Sequence, residues 1–304
     1  MSDGKIELTD DMVQPFMIDA SGLHGRLVRM GPVVDTILSR HDYPEPLKML
    51  LGKFLVLGAA LATALKYEGV FTLQAKGDGI VPLIVADVTS AGDVRGYAQL
   101  TGDITDAEAA IAKPVSSLMG KGYIAFTVDQ GPDTDRYQGI VELKGDTLEE
   151  AVDHYFEQSQ QFNSTLTLAA EQQMDGSWRA GAIVLQRLPD EGGISTAEGD
   201  AEEDWTRATT LMRSASAAEM LSPDLGPQAL LYRLFHEEGV RVFDPKPLDV
   251  GCRCSRERIS GILKGMSQDD IDHSIVDDQI SVNCEFCNQA FVFTAEEISQ
   301  LRAG

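Results

Sequence analysis

Along Pro46 to Tyr67 the apolar residues lie on nearly every side rather than along one stripe, which predicts a helix buried around its whole circumference. Val34 to Ser39 carries a shorter helical signal just before it. Alternation then takes over. Val70 to Ala75, Ile80 to Val88 and Val94 to Leu100 are β-rich runs separated by Gly77-Asp78-Gly79 and Ala91-Gly92-Asp93, the pattern of a meander. Gly122 to Val128 and Tyr137 to Leu143 form another pair across the turn-rich Gln130-Gly131-Pro132-Asp133. Thr147 and Glu150 make a capping box ahead of a helix through Ala151, Tyr155 and Phe156. Thr165 to Gln172 and Trp178 to Gln186 close a hairpin around Asp175-Gly176. Strands in runs, with helices between the runs, predict an α+β fold whose N-terminal β-rich core with packed helices spans residues 1–188.

The pattern changes after Pro189. Pro189 to Trp205 holds seven acids (Asp190, Glu191, Glu198, Asp200, Glu202, Glu203, Asp204), no base, and Gly192, Gly193 and Gly199, so it reads as an exposed, mobile connector. Ala208 to Leu221 is a weakly apolar helix candidate. Pro227 to Glu238 is a stronger one, with Pro227 suited to the first turn and Gly239 to the stop. Its residues Leu230, Leu231, Leu234 and Phe235 share a stripe, which either packs permanently on the core or forms a face that can be covered and uncovered. Residues 189–240 are therefore read as acidic connector and linker helices, and residues 241–304 as a small C-terminal zinc-binding domain that carries every cysteine.

Charge narrows the partners. A chain of 304 residues with 48 acids and 25 bases has a formal net charge of -23, a surface that repels nucleic-acid backbones and anionic membranes. The N-terminus has no basic region followed by an apolar run, and the most apolar stretch, Phe54 to Leu65, is too short to span a bilayer. The expected location is a reducing cytoplasm, where permanent disulfides are uncommon and clustered thiols bind metal or respond to oxidants.

The thiols are clustered. Cys252 and Cys254 form a C-x-C pair, and after 29 intervening residues Cys284 and Cys287 form a C-x-x-C pair. Two close pairs supply the four soft ligands of tetrahedral zinc, each about 2.3 Å from the metal. Cys284-Glu285-Phe286-Cys287 resembles a zinc knuckle, with Ile280 and Val282 leading in, Phe291 and Phe293 leading out, and Asn288 able to take a left-handed turn. Ser255 can cap a short helix from Arg256, so that the helix dipole, Arg253 and Arg256 favour thiolate. A permanent structural zinc and a switchable one both fit this spacing, although C-x-C is unusual in ordinary zinc ribbons. A nucleic-acid ribbon fits poorly, since Cys252 to Gly304 holds five bases against nine acids. A thiol oxidoreductase using Cys284 and Cys287 is another reading, weakened because the motif does not sit in a βαβ unit. His273 could supply a ligand, but four thiolates already complete the shell. His24, His41, His154 and His236 are scattered, and Gly77-x-Gly79 lacks the rest of a dinucleotide fingerprint. No catalytic constellation emerges, so the chain is not expected to be an enzyme.

Longer motifs carry a resemblance. Leu231-Tyr232-Arg233-Leu234-Phe235-His236-Glu237-Glu238, Cys252-Arg253-Cys254-Ser255-Arg256-Glu257-Arg258 and Cys284-Glu285-Phe286-Cys287-Asn288 are similar to segments of the heat-shock protein 33 family of redox-regulated chaperones. So are Gly25-Arg26-Leu27, Tyr67-Glu68-Gly69, Leu73-Gln74, Arg95-Gly96-Tyr97, Tyr155 to Gln160 and Gln186 to Pro189, so the resemblance covers essentially the whole chain. Lys53, where an acid would be expected, and the long acidic stretch after Pro189 depart from it. The resemblance implies a cytoplasmic, ATP-independent holdase, inactive while four thiolates hold zinc. Oxidants such as hypochlorous acid, or peroxide with heat, would pair Cys252 with Cys254 and Cys284 with Cys287 as disulfides and release the metal. The zinc domain and connector would then unfold, the protein would form a homodimer, and unfolded or oxidatively damaged clients would bind.

Overall fold

The computed structural model describes residues 10–131, 134, 136–159, 163–187 and 201–303. Its first element is a hairpin that the apolar pattern does not announce, β1 (Met12–Ile18) and β2 (Leu23–Met30), paired from Met12 opposite Arg29 to Ile18 opposite Leu23. Gln14 and Arg29 are buried polar residues within it, and they interrupt the expected alternation. Next comes α1 (Pro32–Leu38), whose first turn is held by the Asp11 carboxylate accepting from Gly31 N and Val33 N at 2.9 and 3.1 Å. The all-round apolar stretch becomes α2 (Glu45–Ala62), which stops five residues short of Tyr67, capped at Thr63.

The predicted meander is present as β3 (Val70–Gly77), β4 (Leu83–Thr89) and β5 (Asp93–Gln99), with Ile80 to Pro82 outside the strands. A short helix α3 (Ala107–Ala112) and a π-helical turn (Val115–Met119) follow. Gly77 and Gly79 lie under that turn: a Cβ there would sit 2.0 Å from Met119 O and 2.3 Å from Leu118 O. These glycines admit the chain's own backbone rather than a phosphate. Then come β6 (Gly122–Asp129), β7 (Tyr137–Glu142) and α4 (Leu148–Ser159), the helix opened by the predicted capping box. Glu150 N donates to Thr147 Oγ1 at 3.2 Å and Thr147 N to Glu150 Oε2 at 3.4 Å. The hairpin β8 (Ser164–Gln172) and β9 (Trp178–Gln186) ends this run.

Residues 189–200 of the predicted connector lie outside the described residues. Its last five residues are not irregular, because α5 (Ala201–Arg213) starts there, with Glu202, Glu203 and Asp204 in a first turn whose dipole favours acids. The single helix expected over Ala208 to Leu221 is broken at Ser214 to Ser216, where Ser216 and Glu219 form a capping box that opens α6 (Ala217–Leu221). α7 (Pro227–Phe235) follows and ends in one turn of 3-10 helix. Three short strands follow: β10 (Val240–Val242), β11 (Lys246–Pro247) and β12 (Asp249–Val250).

Two six-stranded sheets result. The first runs β10-β1-β2-β9-β8, with β11 also on β1, and the second runs β12-β5-β4-β3-β6-β7. α2 lies against both, which is why it is apolar all round. Gly52 faces Ala170 and Ala180 of the first sheet, and Gly58 faces Ala86 of the second. The opposite face of the first sheet bears a separate core, in which Phe16, Ile18, Leu23, Leu27, Ile183 and Leu185 meet α5, α6 and α7. The predicted stripe sits here, with Leu230, Leu231 and Phe235 fully buried and Leu234 partly so. Phe235 stacks on Phe16 with ring centroids 5.7 Å apart. Each such large apolar residue contributes about 1.5–3 kcal/mol on burial. Two arginines fix the end of α6. Arg29 donates to Ser222 O and Glu219 O at 3.0 and 3.1 Å, and Arg179 Nε to Leu221 O at 2.6 Å.

The chain divides into two compact units between Val250 and Gly251. Composition suggests a boundary at residue 241 instead. The difference has a plain cause, since β10 and β11 pair with β1, and β12 pairs with β5. The second unit consists of α8 (Arg256–Gly265), α9 (Gln268–Ser274), the hairpin β13 (Gln279–Asn283) and β14 (Ala290–Thr294), and α10 (Ala295–Ala303). Its small core joins Ile259, Leu263, Ile271, Ile280, Phe291, Phe293 and Ile298. Among the described residues no helix is long and apolar enough to cross a membrane.

Candidate metal and redox centre

Two local structures bring the cysteines together. Cys252 and Cys254 lie in the segment just before α8, whose N-cap Ser255 accepts from Arg258 N as the sequence predicts. Cys284 to Asn288 turn the chain between β13 and β14. Asn288 N donates to Cys284 O at 2.7 Å, Cys284 N donates to Gln289 O at 2.9 Å, and Asn288 takes the predicted left-handed conformation at φ 56°. The strands register Ile280 opposite Phe293 and Val282 opposite Phe291, so the flanking apolar residues anchor the knuckle in the unit's core.

The four Sγ atoms lie within 4.8 Å of one another. Cys252 Sγ is 3.7 Å from Cys284 Sγ, and Cys254 Sγ is 3.3 Å from Cys287 Sγ. Four sulfurs placed tetrahedrally at about 2.3 Å from one ion are about 3.8 Å apart, so the cluster has the size and the donor set for one soft metal ion. All four residues are partly exposed, which leaves them open to small oxidants. Protons are held unevenly. Burial opposes ionisation of Cys252, but the Cys254 N–H and the neighbouring thiols outweigh it and bring that thiol down to about 7. Burial pushes Cys254 up, reinforced by the thiols around it, and burial also raises Cys287.

One expectation is corrected. Arg256 does not serve as the cation beside the thiols: it donates to Val292 O at 2.8 Å, pairs with Glu297 at 2.7 Å and stacks over Phe293 at 4.1 Å. The groups that lower Cys252 are N–H and S–H donors rather than arginines. His273 stays outside the cluster, its Nδ1 2.5 Å from Asp269 O one turn back in α9. Gln289, which sequence reading passes over, closes the knuckle through its carbonyl and brings Oε1 within 3.9 Å of Cys254 Sγ. Only its place after the left-handed Asn288 could have pointed to it.

Comparison with known proteins agrees over nearly the whole length. The family model described as Hsp33 protein matches residues 11–294. The 33 kDa chaperonin of Caulobacter vibrioides is 37% identical over 288 residues, which cover 93% of this chain and 94% of that one. The 33 kDa chaperonin of Pseudomonas aeruginosa is 36% identical over 296 residues, 97% of this chain and 95% of its own. The crystal structure of a 33 kDa chaperonin (heat shock protein 33 homolog) from Thermotoga maritima superposes with a TM-score of 0.81 at 23% identity, covering 96% of this chain and 98% of that one, a likeness of fold.

Proposed function

The chain belongs to the Hsp33 family, and from that premise we propose that it is a redox-regulated, ATP-independent chaperone that holds unfolding proteins under oxidative stress. The observation that carries the reading is the clustering of Cys252, Cys254, Cys284 and Cys287 within 4.8 Å in a unit with a small core of its own. These four thiolates would hold zinc, which when bound supplies much of the folding energy of so small a module. Oxidation joins Cys252 to Cys254 and Cys284 to Cys287, each pair losing two electrons to the oxidant. The ligands are consumed and the module loses its fold.

The first unit supplies the surface that responds. The apolar seam between the first sheet and α5, α6 and α7 is a covered client-binding face, and uncovering it presents Phe16, Leu23, Leu27 and Ile183 to clients and to a second copy of the chain. In this reading residues 1–188 bind clients and dimerise, the segment from 189 to the end of the first unit transmits the change, and residues 251–304, rather than the 241–304 read from composition, form the switch. The chain acts in the cytoplasm, by binding rather than by catalysis. The knuckle's place in a strand–turn–strand hairpin, rather than at the start of a helix, gives no support to a thiol oxidoreductase.

The test follows metal release and suppression of aggregation of a thermally unfolding enzyme together, before and after oxidation. One zinc per reduced chain, lost in step with the appearance of chaperone activity, is the expected result. Zinc retained under oxidant, or activity equal in both states, would make the centre a static staple.

A further inference from the structure

Among the large apolar residues of the seam are two thioethers. Met212 on α5 and Met220 on α6 are both fully buried, in one cluster with Phe16, Leu23, Ile183 and Leu185. Elsewhere in the chain Met174 stands fully exposed at the tip of the β8–β9 hairpin, and Met119 is fully buried in the inner core around α2. Three environments for one chemical group thus occur in a chain whose proposed trigger is an oxidant.

We propose that Met212 and Met220 are a second, later oxidation site, modified only once α5 and α6 have left the sheet, and that their sulfoxides keep the seam open. The inference rests on the opening of the seam described under the proposed function. With hypochlorous acid, the sulfur lone pair attacks oxygen, an S–O bond forms, the O–Cl bond breaks, and chloride leaves while the proton passes to water. Sulfur loses two electrons and chlorine gains them. The product carries a strongly polar oxygen, whereas its docked position is fully buried among apolar side chains. Burying that oxygen without a donor disfavours docking by roughly tenfold or more per site.

The two oxidation layers differ in how they reverse. Thiol reductants restore the cysteines, while a methionine sulfoxide needs its own reductase. Re-reduction with zinc therefore refolds the second unit without closing the seam. The chaperone remains on after the thiols are reset, until the methionines are repaired.

The experiment is a quenched time course of the full-length zinc-loaded protein with hypochlorous acid, read by peptide mapping and by hydrogen exchange. Sulfoxide at Met174 should appear at once and at Met119 not at all. At Met212 and Met220 it should lag behind the disulfides and track the rise in exchange over residues 201–221. After thiol reductant and zinc, wild type should stay open, and methionine sulfoxide reductase should close it. The double variant Met212→Leu, Met220→Leu, a nearly volume-conserving change, should close with thiol reductant alone. Sulfoxides at Met212 and Met220 forming as fast as at Met174, their absence while exchange over 201–221 has risen, or wild type closing as completely as the double variant would each overturn the lock alone. Exchange over 201–221 unchanged by oxidation would overturn the seam opening and the lock with it.

Discussion

The two faces of the first sheet are built differently, although the same strands supply both. The part of the inner face that joins the core around α2 is apolar, with Val13, Val28, Met30, Leu166, Leu168, Ala170, Ala180, Ala182 and Val184 in one cluster, while His24, Arg26 and Gln186 lie together toward one end of it. α2 is enclosed by a second sheet beyond it, so it has nowhere to go without unfolding the unit. The outer face mixes apolar residues with buried or half-buried polar ones. Arg29, Arg179 and Thr165 reach carbonyls of α6 or side chains of α5 by hydrogen bonds. These groups lose little when water replaces their partners, because water offers the same hydrogen bonds. Such residues therefore cost a face less when it is wetted than an apolar contact would. Under the proposed function, the outer seam rather than the inner core is the contact that would open.

The largest effect that bears on this contrast comes from Cys284→Ser. Three ligands hold structural zinc poorly, and apparent binding energies for such sites are on the order of 10 kcal/mol. Metal content after anaerobic reducing purification should fall below half an equivalent, and exchange should rise throughout 251–304. If the seam is governed by the second unit, exchange over 201–238 should rise as well while Val70 to Gln99 stays protected. A seam that keeps its protection after the metal is lost would sever the two events.

Next in size is a matched pair of truncations. Leu55→Ala removes a fully buried side chain from α2, and Leu231→Ala removes one from α7. Each should cost about 2–5 kcal/mol. Leu55→Ala should lower the thermal midpoint of the whole first unit. Leu231→Ala should instead appear as faster exchange over 201–238 and partial chaperone activity without oxidant. Equal effects of both variants on the global midpoint would show a single cooperative core, and the distinction between the two faces would fail.

Much of this was legible in the sequence, and the exceptions have physical causes. The enclosed α2, the meander, the Thr147–Glu150 capping box and the knuckle with its left-handed Asn288 depend on spacing within a few residues, which a sequence displays directly. The hairpin β1–β2 escaped because Gln14 and Arg29 occupy buried positions among apolar ones, their partners lying on Phe243 and at the end of α6. The start of α5 escaped because Glu202, Glu203 and Asp204 read as connector charge until a helix dipole is there to receive them. Arg256 was placed beside the thiols by proximity in sequence, whereas its partners come from β14 and α10, 36 and 41 residues away.

Arg29→Met probes the arginine clamp directly and should have a smaller effect. Methionine fills much of the volume but gives nothing to Glu219 O and Ser222 O, so the end of α6 should loosen by about 1–3 kcal/mol. The expected sign is faster exchange over 217–222 and a shorter delay before activation by oxidant, with the midpoint of the inner core nearly unchanged. Slower activation would mean that Arg29 works for the open state instead.

The smallest effect concerns acid and should fall on the other face. His24 follows Leu23 on β2, and alternation sets it on the inner side with Val28 and Met30, near Arg26, whose Nη1 donates to Gln186 Oε1 at 2.8 Å. Burial lowers its affinity for a proton below the ordinary imidazole value of 6.5, and the charge of Arg26 lowers it further. The folded chain therefore binds fewer protons at this site than the unfolded one once pH falls below 6.5. Stability from neutral His24 is fully present above that pH and is lost as pH falls through the depressed folded value. Mild acidification should thus reduce the global midpoint slightly while leaving exchange over 201–238 in its order relative to the core. His24→Gln should flatten that pH dependence without altering activation by oxidant. If acid opened 201–238 first, and His24→Gln abolished the opening, the imidazole would be acting on the outer seam, and the division of labour between the two faces would have to be redrawn.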